Sequence, residues 1–314
     1  MALINQEVAA LTTALSGIGI DEKSVISILG KWEPNERESF RDANANFFVK
    51  DERNFHKWND HWVRFLKHEF MRIKNAVVLR AMHPWERDAR LAKEALKKGP
   101  QAYGVLIEIA CSRSSDQLLG ARKAYHALFD HSFEEELATH VPTNERKLLV
   151  ALASAYRYEG PKVKEEDAEH EAQEIFKVVK KNGPNKPIIE NDEIIRILST
   201  RSKLHIQAIY KYYHKISGSY LDEDLEDVRL KETVQCFCAP HTYFAKVLEG
   251  AMRSEDKNIN KALTRVIVTR AEIDMPKIKE EFQKLYGASL SEKIADVAKG
   301  NYKDFLLALI AREK

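Results

Sequence analysis

The chain has 314 residues, of which 50 are Lys or Arg and 48 are Asp or Glu, so its formal net charge is only +2. A protein that binds nucleic acid through charge usually carries a larger excess of cations, so no nucleic-acid partner is expected. Hydrophobic residues make up 44% of the chain, which is typical of a folded protein. The 12 Gly and 9 Pro are few among many Ala, Leu, Glu and Lys, and this composition predicts a mostly helical fold.

The number of cysteines and the length of the apolar runs indicate where in the cell the protein is expected. Cys111, Cys236 and Cys238 are too few for a disulfide framework, which predicts a reducing, cytoplasmic location. No run approaches the roughly 18 apolar residues of a membrane span, and residues 1–7 lack the features of a signal peptide. Any membrane association is therefore expected to be peripheral and reversible.

An apolar helical run that ends in a cation occurs four times along the chain. The four cations are Lys31, Arg113, Arg201 and Arg270. Their spacing of roughly 70 to 90 residues is typical of an internal repeat. A second apolar run follows Arg113 and Arg270 at the same interval. In the first copy it lies about ten residues later, around Val77, which predicts an inserted segment that includes Trp58 and Trp62.

Proline-led amphipathic stretches mark the borders of these copies. Pro84 and Pro240 each begin such a stretch, and proline suits the first turn of a helix. The sequence thus predicts four units, at 1–83, 84–160, 161–239 and 240–314. Each unit contains several short helices with apolar stripes, and helices this short need neighbours to bury those stripes. The expected fold is a compact all-α array.

A glycine loop in the first unit is a candidate metal site. It reads Leu15-Ser16-Gly17-Ile18-Gly19-Ile20-Asp21-Glu22. Glycine permits positive φ, so carbonyl oxygens can turn outward. Carbonyl oxygens are donors that calcium prefers, and a distant carboxylate would complete the shell. Glu69 is the candidate carboxylate. The alternatives are that the two glycines merely terminate a helix and that Glu69 is a solvated surface residue.

The chain resembles the annexin family, and in particular plant annexins, over essentially its whole length. The resemblance rests on the four repeats and on three segments: Ala155-Tyr156-Arg157-Tyr158-Glu159-Gly160, Arg196-Ile197-Leu198-Ser199-Thr200-Arg201-Ser202, and Leu263-Thr264-Arg265-Val266-Ile267-Val268-Thr269-Arg270-Ala271-Glu272-Ile273-Asp274. It implies five helices per repeat and a slightly curved disc. It also implies calcium sites on the convex face that bridge the protein to acidic phospholipid.

The resemblance also assigns the ligands of the first loop by position. The family's calcium motif is Gly-x-Gly-Thr, and Gly17 and Gly19 match its glycines. Leu15 occupies the position whose carbonyl also binds calcium. Ile20 stands where the family has Thr, a change that matters little if only the backbone carbonyl is used.

An acidic residue later in the repeat completes the family's motif. Glu69 is the nearest match, with His68 as the alternative one position away. Glu22 matches a position that can supply a second, weaker calcium site.

The corresponding loops of the other units depart from the motif. Residues 97–101, 180–184 and 252–259 lack Gly-x-Gly, and Val297 stands where the fourth acidic ligand would be. One good calcium site is therefore expected, with low calcium sensitivity, because each calcium bridge adds to the avidity of a membrane contact.

Lysines in these degenerate loops are candidates for direct membrane contact. Basic residues near an anionic leaflet contribute about 1 kcal/mol each. The candidates are Lys97, Lys98, Lys180, Lys181 and Lys257. The alternative is that they only keep exposed loops soluble. Ile18, at the loop tip where plant annexins often place Trp, is also predicted to dip into the membrane interface.

The function implied is non-enzymatic, calcium-dependent binding to anionic phospholipid membranes, with calcium as the cofactor. A rival interpretation is a helical scaffold or constitutive membrane binder with reduced calcium control. Another is a redox protein centred on Cys111 and Cys236, which match cysteines of plant annexins but lie on apolar runs that favour burial.

Two protein partners also follow from the resemblance. Other annexins are candidate partners. Actin is a second candidate, because Ile195-Arg196-Ile197 matches a tripeptide proposed as an actin contact in plant annexins. The alternative is that both isoleucines belong to the core side of a helix.

Overall fold

The structure is a computed structural model that describes residues 2–32, 34–50, 56–154, 156–181, 187–254 and 257–311. Over these residues the chain forms nineteen α-helices and one two-stranded hairpin, so the predicted all-α fold class is confirmed. The helices are α1 Ala2–Ala14, α2 Glu22–Leu29, α3 Pro34–Ala43, α4 Asp60–Ala81, α5 Pro84–Lys98, α6 Tyr103–Ser112, α7 Ser115–Phe129, α8 Phe133–His140, α9 Thr143–Ser154, α10 Glu165–Lys181, α11 Asp192–Thr200, α12 Lys203–Ser217, α13 Leu221–Asp224, α14 Val228–Cys238, α15 Pro240–Arg253, α16 Lys257–Arg270, α17 Met275–Tyr286, α18 Leu290–Val297 and α19 Gly300–Ile310. The strands are β1 Phe48–Lys50 and β2 His56–Trp58.

The helices gather into two compact units. One unit comprises Met1–Ala81 with Phe244–Lys314, and the other comprises Met82–Tyr243. The first unit therefore combines the beginning and the end of the chain, and α4, α16 and α19 pack on one another within it. In the second unit α10 packs on α12, α5 on α7, and α6 on α14. The division into four repeats stays a prediction.

The core of the first unit forms around α1 and α2. Apolar side chains of α1 recur at helical spacing and meet aromatic side chains from α3 and the hairpin. The cluster consists of Val8, Leu11, Leu15, Ile20, Ile28, Trp32, Phe40, Phe47 and Phe48. Helix α2 begins after Asp21, whose side chain accepts a hydrogen bond from the Ser24 amide as an N-cap.

The hairpin lies in the region where the sequence predicts an inserted segment. Strand β1 pairs antiparallel with β2, so that Phe48 lies opposite Trp58. Residues 51–55, which connect the strands, lie outside the described part of the chain. Trp62, on α4, packs against the core cluster.

Helix α4 runs for 22 residues without a break. Residues 60–81 contain neither Gly nor Pro, the residues that most often interrupt a helix, which accounts for this unbroken length. In the second unit, by contrast, Pro142 separates α8 from α9. As a consequence, residues 69 and 72 lie on one continuous helical face.

The cations that mark the repeats have a structural role. Arg113 forms a buried bidentate pair with Asp88 at 2.6 and 2.8 Å. Similar pairs join Arg201 to Glu171 at 2.5 Å and Arg270 to Asp274 at 2.6 Å. Lys31, the first of the four cations, is exposed instead. Three of the four cations that mark the repeats therefore form ion pairs inside their units.

Leu11→Ala tests whether the apolar cluster around α1 and α2 holds the first unit together. The Leu11 side chain is fully buried, so its truncation should lower the free energy of unfolding by about 2 to 5 kcal/mol. Ile26→Ala on α2 is the matched control, because Ile26 is 72% exposed and should change stability by less than about 0.5 kcal/mol. Urea unfolding measures both. Equal losses for the two variants would contradict the assignment of the core.

Candidate functional site

The glycine loop connects α1 to α2 and turns back on itself. Gly17 and Gly19 have φ values of +98° and +80°, which side chains with a Cβ rarely adopt. The Asp21 amide donates to the Ala14 carbonyl at 3.2 Å and fastens the base of the loop. The alternative that the glycines only end α1 does not account for the whole loop, because α1 already ends at Ala14.

The carbonyls of this loop fall into two groups. The Ile18 carbonyl accepts a hydrogen bond from the Lys299 amide at 2.9 Å. In the part of the chain that the structure describes, no donor is hydrogen-bonded to the carbonyls of Leu15, Gly17 or Gly19. Since backbone carbonyls are nearly always paired when they turn inward, these three oxygens are among those available to an external ligand.

Glu69 brings a carboxylate to this loop from α4. The Gly19 amide donates to Glu69 Oε2 at 2.7 Å, across 50 residues of sequence. Only 2% of Glu69 is exposed, so the alternative of a solvated surface residue is wrong. Arg72 Nη2 donates to Oε1 at 2.8 Å, and Arg72 Nε donates to Oε2. His68, the alternative match, lies with Nδ1 3.1 Å from Glu69 Oε1.

The charge state of Glu69 follows from these contacts. Burial alone would raise its pKa, but the hydrogen bonds from Arg72 and from the Gly19 amide outweigh burial. The pKa of this carboxyl therefore lies below its usual value, and Glu69 is ionised at neutral pH.

The donor set suits a hard cation. Three free carbonyl oxygens beside an ionised carboxylate are oxygen ligands of the kind that calcium takes. The described residues contain no group of three or more His, Cys, Asp or Glu side chains that could hold a metal. A site in the described residues would therefore depend on backbone oxygens, as this loop does, and the residues present fit a calcium ion.

Ile20 and Glu22 complete the account of the loop. The Ile20 side chain is buried in the core cluster, which leaves only its backbone facing the loop. Glu22 Oε2 accepts a hydrogen bond from the Asn301 amide at 3.3 Å, at the start of α19. A carboxylate is favoured at a helix N-terminus, so Glu22 has a structural role in addition to the predicted second calcium site, which stays a prediction.

Lys299 is a loop neighbour that sequence reasoning missed. Its Nζ donates to the Thr13 carbonyl at the end of α1, and a Cβ at Gly17 would lie 3.4 Å from its side chain. Burial lowers the pKa of this ammonium group, and the nearby Asp21 opposes that shift. No local signal could reveal the contact, because the two residues are 286 positions apart.

The prediction that Ile18, at the loop tip, dips into the membrane interface is wrong for this conformation. Ile18 is only 9% exposed, and its backbone forms a parallel bridge with Ala298. The Lys299 amide donates a hydrogen bond to the Ile18 carbonyl. These long-range contacts turn the side chain inward, so this conformation does not present it to a membrane.

The candidate lysines lie at helix ends rather than in loops. Lys97 and Lys98 end α5, Lys180 lies in the last turn of α10, and Lys98 pairs with Glu94 at 2.8 Å. Lys180 pairs with Asp224 at 3.2 Å. Cations are favoured at helix C-termini. Lys181 ends α10 and Lys257 begins α16, and the side chains of both lie outside the described part of the structure.

Two of the cysteines and the two isoleucines of the proposed actin tripeptide are buried in the second unit. Cys111 and Cys236 are buried, and burial raises the pKa of the Cys111 thiol to about 12. A thiol with so high a pKa is a poor nucleophile at neutral pH. Ile195 and Ile197 are also buried, whereas Arg196 bonds to Glu171 and Glu193.

The fold and the site together define a class of protein. It is an all-helical repeat protein in which a distant carboxylate closes a loop of backbone carbonyls. Comparison with known proteins agrees. The family model described as Annexin matches residues 87–152, 170–228 and 243–309. The chain belongs to the annexin family.

Individual relatives extend the match to the residues before position 87. Annexin D4 of Arabidopsis thaliana is 50% identical over 314 residues, covering 98% of each chain. Annexin-like protein RJ4 of Fragaria ananassa is 37% identical and covers 98% of this chain and 96% of its own. The crystal structure of chicken annexin V in complex with Zn²⁺ superimposes with a TM-score of 0.69 at 26% identity, covering 99% and 96% of the two chains.

Family membership supports a general function. Annexins bind phospholipid membranes in a calcium-dependent way and are generally not enzymes. None of the described helices combines the length and the apolar character that crossing a bilayer requires.

The pKa of Glu69 predicts a pH-dependent stability. A carboxyl whose pKa is lowered by folding stabilises the protein above its unfolded pKa, and this contribution is lost as pH falls through the folded pKa. Glu69→Gln should lower the free energy of unfolding by about 3 kcal/mol at neutral pH. The difference from wild type should shrink below about pH 4.5, as the wild-type carboxyl takes up a proton.

Urea unfolding between neutral pH and about pH 3 measures this difference. Glu38→Gln is the control, because Glu38 is an exposed glutamate of the same unit. A wild-type advantage over Glu69→Gln that stays constant across the whole pH range would contradict the assignment.

Proposed function

We propose that this protein binds calcium in its first glycine loop and uses the bound ion to attach reversibly to anionic phospholipid at the cytoplasmic face of membranes. The observation that carries the proposal is the set of three unpartnered carbonyls beside an ionised, buried carboxylate. Membership of a calcium-dependent, phospholipid-binding family supports the same conclusion.

Each loop residue has a defined part in this proposal. The carbonyl oxygens of Leu15, Gly17 and Gly19 would hold the ion, and the Glu69 carboxylate would supply the negative charge. Calcium, when bound, presents positive charge that a lipid phosphate oxygen can meet. The hydrogen bond from Gly19 to Glu69 holds loop and carboxylate together, which reduces the ordering of the loop that calcium binding requires.

Surface cations would assist this attachment. Lys97 is exposed at the end of α5, and Lys98 and Lys180 lie at helix ends with a carboxylate partner each. Because exposed ion pairs contribute only about 0 to 1 kcal/mol, both can be exchanged for lipid phosphate. The lysines therefore supplement one calcium site, and the protein acts as a membrane binder with no catalytic step.

Removal of the site carboxylate tests the proposal. Glu69→Gln should raise the calcium concentration for half-maximal binding at least about tenfold, because ligand charge sets calcium affinity. The assay is co-sedimentation with vesicles of phosphatidylserine and phosphatidylcholine across a calcium titration with a chelator control. Glu69→Asp, which keeps the charge but shortens the side chain, should also raise the midpoint, and it guards against a loss of folding in Glu69→Gln.

Glu38→Gln is again the matched control and should bind like wild type. An unchanged calcium midpoint in both Glu69 variants would reject the assignment of this site. Pelleting that persists in chelator would instead favour constitutive attachment through the lysines. Vesicles of phosphatidylcholine alone should not be bound.

A further inference from the structure

The carboxylate of the proposed calcium site already has a cationic partner inside the protein. Arg72 lies three residues after Glu69 on the unbroken helix α4, which places both side chains on one face. Its guanidinium contacts both carboxylate oxygens, one of them at 2.8 Å. Glu69 therefore uses both of its oxygens without any metal.

Packing holds Arg72 in this position. Only 5% of Arg72 is exposed, and its guanidinium lies over the ring of Tyr302 at 5.9 Å from the ring centre. The Tyr302 hydroxyl in turn shares a hydrogen bond of 2.7 Å with Thr264. Residues of α16 and α19 thus fix the guanidinium, and a planar, preorganised fork loses little entropy when it binds a carboxylate.

The arrangement is a competition between two cations for one carboxylate. A bidentate guanidinium occupies the oxygen positions that calcium would use, and a buried cation close to the site also repels the ion. We propose that Arg72 is an internal competitor of calcium at Glu69, so that calcium binds only in the fraction of molecules in which the Arg72 contact is released. This inference rests on the function proposed above.

The competition has a quantitative consequence. When only a fraction of a protein is competent to bind, the apparent dissociation constant rises by the inverse of that fraction. The Arg72 contact therefore sets the calcium concentration at which the loop responds. Lys299, the other cation at the loop, donates to the Thr13 carbonyl and not to Glu69, so it does not compete for the carboxylate.

Removal of the competitor should tighten calcium binding. Arg72→Gln should bind calcium about 5- to 150-fold more tightly than wild type, the range that a coupling of this kind usually produces. Isothermal titration calorimetry without membranes measures the affinity. Calcium should also raise the melting temperature of Arg72→Gln more than that of wild type at equal calcium, because a tighter ligand stabilises more.

Two further variants separate competition from other roles. Arg72→Lys keeps the charge but loses the two-pronged contact, so its calcium affinity should lie between those of wild type and Arg72→Gln. This variant also provides the test if Arg72→Gln does not fold. Arg80→Gln is the matched control on the same helix, because Arg80 pairs with Glu272 outside the loop, and its affinity should be unchanged.

The outcomes distinguish this inference from the proposed function. If Glu69→Gln abolishes calcium binding but Arg72→Gln binds as wild type does, the competition is wrong and the proposed site stands. Weaker binding by Arg72→Gln would also overturn the inference, because Arg72 would then position Glu69 for calcium. If neither wild type nor Arg72→Gln binds calcium at this loop, the proposed function itself is wrong.

Discussion

Glu69 is an ionised carboxylate held almost entirely out of water, and such a group needs compensating contacts to be tolerated. The structure supplies them from two directions, the Gly19 amide of the loop and the Arg72 guanidinium of its own helix. The first contact fixes the glycine loop against α4. The second fixes α4 against Tyr302 of α19, so both ends of the chain meet around one charge. The geometry of the loop depends on this charge being satisfied.

Internal repetition and local chemistry made much of the fold and of the candidate site predictable from the sequence. The four cation-terminated runs, the glycine loop and Glu69 could all be read from the sequence, because helical period, positive φ and family resemblance act over short ranges or by position. The orientation of Ile18 could not be predicted, since it is set by the backbone of residues 298 and 299 at the other end of the chain. Arg72 was missed although a signal existed: an acid and an arginine three apart meet on one face when no Gly or Pro interrupts the helix.

The same charge connects structure to function. Calcium-dependent phospholipid binding is a general property of the annexin family to which the chain belongs. If the other loops bind no calcium, as their departures from the motif predict, the number of calcium bridges and the avidity are both limited. Under the proposed function, the first loop would carry most of the calcium response, surface lysines would add attraction, and Arg72 would set the calcium threshold. The buried cysteines and isoleucines contribute to the core of the second unit and need no separate activity.

A crystal structure of the protein grown with calcium tests the proposed site and the role of Arg72 together. We predict an ion in the first loop, about 2.3 to 2.6 Å from the carbonyl oxygens of Leu15, Gly17 and Gly19 and from the Glu69 carboxylate. We also expect that Arg72 no longer contacts both carboxylate oxygens. A calcium-loaded crystal with the Glu69 to Arg72 pair intact and no ion at this loop would contradict both the proposed site and the competition.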